Sequence, residues 1–252
     1  MSGVNVLTNT ELERFNRQIK LFGVNGQRKI KCSSILVVGV GGLGCSALMY
    51  LASAGFGKII FVDSDIVELN NLNRQVLHWE DDIGRAKVES AIWKLKKINS
   101  NIQLEGLNTE FNEEIGEDLV RNADVILDCL DNFKTRFILN RLCIKYRKPL
   151  IHGAVYGFEG RLLTVIPGKG PCLQCVIPFQ PTETLDLPVV GSTPAVIASL
   201  QVTEAIKIVT GIGHPSVGKL IVYDGEFMNF FEVSVKKRND CPTCSLTSYG
   251  DL

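Results

Sequence analysis

One segment of ten residues decides the fold, Ile35-Leu36-Val37-Val38-Gly39-Val40-Gly41-Gly42-Leu43-Gly44. Its continuous apolar first half is typical of a strand that is buried on both faces. The glycines that follow match G-x-G-x-x-G and stand where a helix, predicted over 43–54, begins. Such a turn brings backbone N–H groups to a phosphate. The segment therefore predicts a nucleotide site at Gly39, Gly41, Gly42 and Gly44.

Further apolar runs alternate with helical patterns along the first 153 residues. The predicted strands are 35–40, 58–63, 124–130 and 149–153, and the predicted helices are 43–54, 84–98 and 133–146. This alternation predicts a doubly wound, Rossmann-like α/β sheet that is mostly parallel. After residue 153 the connections shorten, and we expect C-terminal antiparallel strands within 154–166 and 220–235, with a helix over 194–210 between them.

We expect the whole chain, residues 1–252, to form one domain. An N-terminal helical segment (1–30) begins at Thr8 and Glu11, which have capping-box spacing, and its amphipathic helix over 12–22 is expected to stop where Gly23 and Gly26 break the pattern. A nucleotide-binding half (31–153) and a second half (154–252) follow. The second half includes a stretch rich in proline and polar residues, 178–194, which no period fits and which we interpret as a mobile loop.

Charge and composition exclude several classes of protein. The 27 Lys and Arg residues balance the 27 Asp and Glu residues, which argues against a dedicated nucleic-acid binder. The uncharged window 32–57 is long enough to span a membrane, but its six glycines favour a buried strand, turn and helix instead. The first ten residues lack the pattern of a signal peptide. We expect a cytoplasmic protein with no membrane association.

Polar residues after the predicted strands favour ATP over a dinucleotide used in hydride transfer. Asp63 ends the second apolar run, where an acid binds ribose hydroxyls. Arg74 follows it among amides, Lys87 stands near a predicted helix start, and Asp131 follows the third run. Because open α/β sheets bind ligands at the carboxyl ends of their strands, Arg74 and Lys87 are expected to clamp a triphosphate. Asp131 is expected to hold Mg²⁺.

Four of the eight cysteines form two C-x-x-C pairs, Cys172 with Cys175 and Cys241 with Cys244. Each pair is next to proline, as in a turn. Four thiolates in two such turns are typical of a tetrahedral structural zinc, whose shell is closed to catalysis. The other four cysteines are scattered through apolar segments, which indicates a reducing compartment rather than a disulfide framework.

Taken together, these residues resemble the MoeB/ThiF family, relatives of the ubiquitin-activating enzymes. The resemblance covers roughly residues 12–244. It is carried by Arg14-Phe15-Asn16-Arg17-Gln18, residues 39–44, Asp63-Ser64-Asp65, Asn71-Leu72-Asn73-Arg74-Gln75, Lys87, Asp128-Cys129-Leu130-Asp131-Asn132 and both cysteine pairs. It extends the expected nucleotide-binding set to Asp65, Asn71, Gln75 and Asn132.

The resemblance implies a homodimer that adenylates the C-terminal Gly-Gly carboxylate of a small ubiquitin-fold sulfur carrier and releases pyrophosphate. The pathway would be molybdopterin or thiamine synthesis or tRNA thiolation. Asp63 would hold the ribose, Arg74 and Lys87 the phosphates, and Asp131 the Mg²⁺. Arg17 would reach the phosphates of the partner subunit as an arginine finger, with Arg14 as a possible second cation. The expected catalytic residues are thus Arg17, Arg74, Lys87 and Asp131.

One departure from the family concerns the predicted loop, where many members carry a cysteine for thioester or persulfide chemistry. No cysteine lies between Cys175 and Cys241 in this sequence. We therefore expect an adenylating enzyme of the non-thioester type that passes the acyl-adenylate to a separate sulfur donor or acceptor. Only eight residues follow Cys244, so we expect no sulfur-carrying domain within this chain.

Three other functions stay open on the sequence. A related enzyme would activate a carboxylate on tRNA or on a peptide, although the zero net charge gives tRNA no support. A non-catalytic scaffold would bind a ubiquitin-fold partner without using Lys87 and Asp131. An NAD-dependent oxidoreductase would leave Arg17, Arg74, Lys87 and Asp131 without a role.

Overall fold

The structure is a computed structural model that describes residues 6–179, 181–182 and 187–245. Its centre is one eight-stranded sheet. The strands are β1 (Ser34–Val38), β2 (Lys58–Asp63), β3 (Gln103–Asn108), β4 (Val125–Asp128), β5 (Leu150–Tyr156), β6 (Glu159–Val165), β7 (Lys219–Asp224) and β8 (Asn229–Ser234). Their order across the sheet is β3-β2-β1-β4-β5-β6-β7-β8.

Eight α-helices lie within the described residues. They are α1 (Asn9–Arg14), α2 (Asn16–Cys32), α3 (Gly42–Ala54), α4 (Lys87–Ile98), α5 (Glu113–Asn122), α6 (Phe133–Lys145), α7 (Leu173–Val176) and α8 (Ser192–Thr210). No helix in the part of the chain described is long and apolar enough to cross a membrane.

The sheet has the predicted mixed architecture. Strands β1 to β5 pair in parallel, and β5 to β8 pair antiparallel. The chain crosses from β3 back to β4, which pairs with the free edge of β1. The order of the strands therefore reverses between β1 and β4, and open α/β sheets bind their ligands in the crevice at this point.

Helices cover both faces of the sheet, as a parallel arrangement requires. Ile35 and Val37 of β1 enter a core layer with residues of α3, α4 and α8. The alternate residues Leu36 and Val38 enter a second layer with residues of α5 and α6. Successive strand side chains point to opposite faces, so an unbroken apolar run is what this position in the sheet demands.

The N-terminal prediction is right at its start and wrong at its end. Thr8 and Glu11 form the capping box that their spacing predicts. The helix was expected to stop at Gly23 and Gly26, but α2 continues to Cys32. Gly23 carries a kink, with φ 71° and ψ 171°. A Cβ at Gly26 would lie 2.8 Å from the Phe22 ring, so this glycine permits close packing and does not end the helix.

Two elements in the first half had no sequence prediction, the edge strand β3 and helix α5. Strand β3 alternates between exposed and half-buried residues and carries Glu105, so it lacks the apolar run of the central strands. In the second half, β5 and β6 form a hairpin, and 220–235 likewise contains the two strands β7 and β8. Residues 180 and 183–186 of the predicted mobile loop lie outside the described residues.

Candidate active site

The glycine turn that follows β1 is packed so tightly that side chains would not fit. Gly39 has φ 97°, and a Cβ there would lie 2.5 Å from the carbonyl oxygen of Cys129 at the end of β4. A Cβ at Gly44 would lie 1.9 Å from the carbonyl oxygen of Gly39. Helix α3 begins within this turn at Gly42. The turn thus presents the start of a 13-residue helix at the point where the strand order reverses.

Asp63, at the end of β2, braces the glycine turn. Its Oδ2 accepts a hydrogen bond from the Val40 N–H at 2.6 Å, and its Oδ1 accepts one from the Asp65 N–H at 2.9 Å. Burial raises the pKa of Asp63, while nearby Lys87 and these two N–H groups oppose that shift. The side chain is half-buried, so it remains accessible from the crevice.

Lys87 is held beside the same strand end. It is the first residue of α4, is 5% exposed, and its Nζ lies 2.8 Å from Asp65 Oδ2. Its backbone N–H also donates to the Asp65 carbonyl, at 2.9 Å. The structure therefore fixes both ends of the lysine before any anion binds.

The Asn71–Gln75 segment crosses over the glycine turn. Arg74 is half-buried, and its Nη1 donates to the Asn70 carbonyl at 2.9 Å. Asn71 is buried, and its side-chain Oδ1 accepts from the Glu68 N–H. Gln75 is 3% exposed, yet its Oε1 has no hydrogen-bond partner within the described residues. Its Nε2 lies 3.8 Å from where a Cβ on Gly41 would stand. A bound group with a donor would satisfy this orphaned oxygen.

Asp131 is exposed to solvent beside the glycine turn. It follows β4, is exposed, and its carboxylate contacts the Asn132 amide at 3.4 Å. The Asn132 side-chain oxygen is already used, because it caps α6 by accepting from the Thr135 N–H at 2.9 Å. Asp131 is therefore the carboxylate that can accept a cation here, whereas the Asn132 oxygen already accepts one hydrogen bond as the cap of α6.

The start of α8 also packs on the glycine turn, which sequence reasoning missed. A Cβ on Gly42 would lie 3.2 Å from the Pro194 ring, and one on Gly191 would lie 2.1 Å from the Asn73 carbonyl oxygen. From the middle of α8, the buried Gln201 amide donates to the carbonyls of Asp128 and Ile151. The chain after the predicted loop thus returns over the crevice. Nothing in the local sequence signals these long-range contacts.

Arg17 is the one predicted catalytic residue that the structure does not bring to this crevice. It is exposed on the first turn of α2. The neighbouring Gln18 donates to the carbonyl of Ala54, the last residue of α3. The glycine turn lies at the opposite end of this 13-residue helix, about 18 Å away at 1.5 Å per residue. Arg14 lies at the same remote end, because Phe15 packs on Gly55.

A buried histidine contacts the glycine turn, and the sequence did not predict this contact. His78 is 3% exposed; its Nδ1 lies 2.8 Å from Ser90 Oγ and its Nε2 3.4 Å from the Val40 carbonyl oxygen. Ser90 Oγ also accepts from the buried Lys94, which pairs with Asp82. Burial, together with the charges of Lys94 and Lys87, lowers the pKa of His78 to about 4, although the contact with the Val40 carbonyl and the charge of Asp82 oppose this shift.

Acidification is expected to destabilise the fold through His78. The unfolded chain binds a proton near pH 6.5, but the folded imidazole stays neutral down to about pH 4. Between these values the unfolded state holds more protons, so the free energy of unfolding falls as the pH falls, by up to about 3 kcal/mol. Burial lowers the pKa of His152 as well, which adds a contribution of the same sign. Urea titrations between pH 4.5 and 7.5 measure this slope.

His78→Gln should reduce that slope, because the buried imidazole no longer titrates. The exposed His214→Gln is the matched control. An unchanged slope in the His78 variant would show that the imidazole does not govern the acid sensitivity.

The four paired cysteines come together as predicted. Their Sγ atoms all lie within 4.8 Å of one another, and Cys172 Sγ is 4.0 Å from Cys175 Sγ and 3.6 Å from Cys241 Sγ. Thiolates around a tetrahedral zinc with bonds of about 2.3 Å would be about 3.8 Å apart, so the donor set fits this metal. The Arg238 backbone N–H lies 3.4 Å from Cys175 Sγ and can donate to a thiolate. Burial raises the pKa of Cys172 to about 11, so a cation is needed to hold it ionised.

Removal of the metal is expected to lower the melting temperature by about 10 °C or more, because a closed centre of four cysteines ties residues 241–244 to α7. Differential scanning calorimetry with and without a strong chelator, together with metal analysis, tests this. ATP binding without Mg²⁺ should persist in the chelated protein at low temperature. A Cys172→Ser, Cys241→Ser double variant is the control and should show no further loss. Zinc-free protein with an unchanged melting temperature would contradict a structural metal.

The model of the ThiF family matches residues 15–243 of this chain. The chain belongs to the ThiF family. The match includes the glycine turn, Lys87, Asp131 and three of the four clustered cysteines, while Arg14 and Cys244 lie just outside it. The resemblance inferred from the sequence is confirmed.

Named relatives agree with this membership. The chain is 40% identical over 247 residues to adenylyltransferase and sulfurtransferase MOCS3 of Drosophila persimilis, covering 95% of this chain and 55% of that protein. It is 39% identical over 241 residues to the heterocyst protein HesA of Trichormus variabilis, covering 94% of this chain and 90% of HesA. This ThiF-family chain thus spans about half the length of the MOCS3 relatives it matches.

Solved structures share the fold. A crystal structure of E. coli MccB with ATP superposes with a TM-score of 0.81 at 25% identity, covering 97% of this chain and 76% of MccB. A sheet like that of this ThiF-family chain therefore occurs in a protein whose structure was solved with ATP. Two surface cavities of about 400 and 370 Å³ lie elsewhere on the chain, and the glycine turn lines neither.

Proposed function

We propose that this ThiF-family chain is an ATP-dependent adenylating enzyme. Its substrate is the C-terminal Gly-Gly carboxylate of a small ubiquitin-fold sulfur carrier. The observation that carries the proposal is the convergence of the glycine turn, Lys87, Arg74 and Asp131 where the strand order reverses. The naming of a 40% identical relative as an adenylyltransferase and the MccB structure with ATP support the use of this nucleotide.

The reaction joins two anions. A carboxylate oxygen of the carrier attacks the α-phosphorus of ATP, the bond to the bridging oxygen breaks, and pyrophosphate leaves. The products are the acyl-adenylate and pyrophosphate, so the atoms and charges balance. No general base is needed, because the carboxylate is already ionised at pH 7. The enzyme must instead neutralise the charge that grows on the leaving group.

The residues of the crevice meet this need. The glycine turn and the start of α3 offer N–H groups to the phosphates, and Asp63 lies where it can accept from a ribose hydroxyl. Lys87 is expected to leave Asp65 partly for a phosphate oxygen, and Arg74 to turn from the Asn70 carbonyl. Asp131 would hold Mg²⁺, which supplies positive charge at the phosphates.

Arg17 acts in the partner subunit in this proposal. The crevice of the same subunit lies about 18 Å from Arg17, at the other end of α3. The side chain makes no hydrogen bond or ion pair with the described residues, so it is free to enter a second site. A homodimer with a two-fold axis would bring each Arg17 to the other crevice.

The product is expected to leave without a covalent enzyme–carrier intermediate. The sequence between Cys175 and Cys241 offers no thiol, and the buried Cys45 and Cys129 have raised pKa values because of burial. A separate sulfur donor would then attack the acyl carbon, and AMP would leave. The name of the 40% identical relative includes sulfurtransferase, which supports sulfur transfer as the context. Molybdopterin synthesis, thiamine synthesis and tRNA thiolation are the pathways we propose for it.

Mass spectrometry of the reaction tests the proposal. Incubated with ATP and Mg²⁺, a carrier that ends in Gly-Gly should gain the mass of one adenylyl group, while the same carrier with an amidated C-terminus should not. Gels without reductant should show no thiol-sensitive adduct of carrier and enzyme. Adenylation of tRNA or of a short peptide instead of the carrier would show that the substrate belongs to another class. Binding of NAD in preference to ATP would refute the proposal.

A further inference from the structure

Helix α6 carries a buried arginine and a buried asparagine that the proposed reaction does not use. Arg136 is 6% exposed and Asn140 is fully buried, both within an apolar layer of the core. They stand four residues apart and so share one face of the helix. A buried arginine and a buried asparagine are costly unless their polar groups are satisfied. Their partners therefore indicate what these side chains hold.

Arg136 holds the turn that precedes the proposed Mg²⁺ ligand. Its Nη2 donates to the carbonyls of Leu130 and Gly153, and its Nε lies 3.8 Å from Asp128 Oδ1. The Leu130 N–H donates to the same Asp128 oxygen at 3.1 Å. Both polar groups of the Leu130 backbone are thus fixed immediately before Asp131.

Asp128 is itself locked in place. It is fully buried, and its Oδ2 lies 2.6 Å from His152 Nδ1 on the neighbouring strand β5. A buried carboxylate that contacts an imidazole, a guanidinium and a backbone N–H has little freedom to rearrange. The position of Asp131 is therefore determined by α6 and the strands beneath it.

Asn140 holds the cysteine centre from the other end of the same helix face. Its Oδ1 accepts from the Leu173 N–H at 3.0 Å, and Leu173 follows Cys172. Its Nδ2 has no hydrogen-bond partner within the described residues. A metal-bound thiolate at Cys172 would accept this orphaned donor, as outer-shell groups of metal sites commonly do.

We propose that Arg136 and Asn140 are positioning residues that hold the Asp131 turn and the Cys172 turn from one rigid helix, so that each site depends on the other. The two side chains are only about 6 Å apart along the helix axis. Loss of metal at the cysteines would release Asn140 and let α6 shift, and with it the Leu130 carbonyl bound by Arg136. The role given to Asp131 rests on the proposed function.

Two conservative variants test the two ends. Asn140→Asp keeps the acceptor for Leu173 but loses the donor toward Cys172. Arg136→Lys keeps the charge beside Asp128 but cannot bond two carbonyls with a planar fork. Each variant is expected to speed zinc release to a chromogenic chelator at least fivefold. Each should also raise the Mg²⁺ concentration for half-maximal pyrophosphate exchange at least fivefold, with ATP binding in the absence of Mg²⁺ unchanged.

Asn99→Asp is the matched control. Asn99 is also buried, at 1% exposed, and its amide donates to the Ala52 carbonyl and accepts from the Asn101 N–H. It lies in the opposite core layer, near α3. Equal effects of Asn99→Asp on zinc release and Mg²⁺ dependence would overturn the proposal, because general loosening would then explain them. The proposal would also be overturned if Asn140→Asp changed only zinc release and Arg136→Lys changed only the Mg²⁺ dependence.

The wild-type protein offers a test that does not depend on the variants folding. Because linkage is reciprocal, saturating Mg²⁺ and an ATP analogue with a methylene between the α- and β-phosphates should slow zinc release at least threefold. If calorimetry shows that the analogue is bound and the rate of zinc release is unchanged, the coupling between the two sites is refuted, while the proposed function is not. Failure of the analogue to bind would instead refute the proposed function, and the role of Asp131 with it.

Discussion

Asp131→Ala is expected to lower the rate of carrier-dependent pyrophosphate exchange by about a thousandfold or more, equivalent to about 4 kcal/mol of transition-state stabilisation. Asp131 is the exposed carboxylate at the carboxyl end of β4, beside the glycine turn. Without it the proposed metal loses its protein ligand, and charge on the departing pyrophosphate is no longer neutralised. The exchange rate at saturating ATP and carrier measures the effect.

The fold should survive this substitution, because the Asp131 carboxylate makes only one hydrogen bond with the described residues, a long one to the Asn132 amide. Its melting temperature is expected to remain within about 2 °C of the wild type, as for most exposed substitutions. Asp118→Ala, which removes an exposed acid from α5, is the matched control and should retain full activity. Wild-type exchange by Asp131→Ala would refute the role given to this carboxylate.

Arg17→Ala and Lys87→Ala are each expected to inactivate the enzyme, and a mixture of the two to recover about a quarter of the wild-type activity. A mixed dimer contains one crevice with an intact Lys87 that faces an intact Arg17 of the partner subunit. Half of randomly exchanged dimers are mixed, and each has one working site of two. Unfolding and refolding the subunits together, followed by the exchange assay, measures the recovery.

No recovery would contradict a finger that acts in the partner subunit, since an arginine acting on its own crevice leaves every mixed site defective. Lys20→Ala is the control for loss of a cation on the same helix, because Lys20 is also exposed on α2. Its dimers should remain active with or without mixing.

The parts of the fold that were predictable are those in which neighbouring residues impose the structure. The apolar run before Gly39 requires a strand buried on both faces, and the glycines that follow are required by contacts as short as 1.9 Å. The spacing of Thr8 and Glu11 fixes a helix start. The cysteine pairs signal their shared centre because four thiols in two turns satisfy one metal.

The remainder depends on contacts between distant segments. Strand β3 has no continuous apolar run, because Leu104 and Leu107 alternate with polar residues and Gly106, and it is a strand because it pairs with β2. Gly26 looks like a helix end but is covered by Phe22. Likewise, no local pattern indicates that Gln75 and His78 are buried beside the glycine turn, or that α8 begins against Gly42.

The candidate site follows the same division. The sequence places Asp63 and Asp131 at or just after strand ends, and parallel pairing brings those ends together. It places Lys87 near the start of a helix. It cannot tell that Asn132 is occupied as a helix cap, or that Arg17 lies at the remote end of α3. These facts arise from packing, and the second of them makes a partner subunit necessary to the proposed mechanism.

The exchange of labelled pyrophosphate into ATP tests the central claim most directly. The enzyme is assayed with Mg²⁺, alone and with each of several small proteins that end in Gly-Gly, and with the same proteins shortened by one glycine. The account predicts exchange that requires one full-length carrier and disappears with its shortened form. Exchange that is indifferent to the last glycine, or none with any carrier while tRNA or a peptide supports AMP formation, would contradict it.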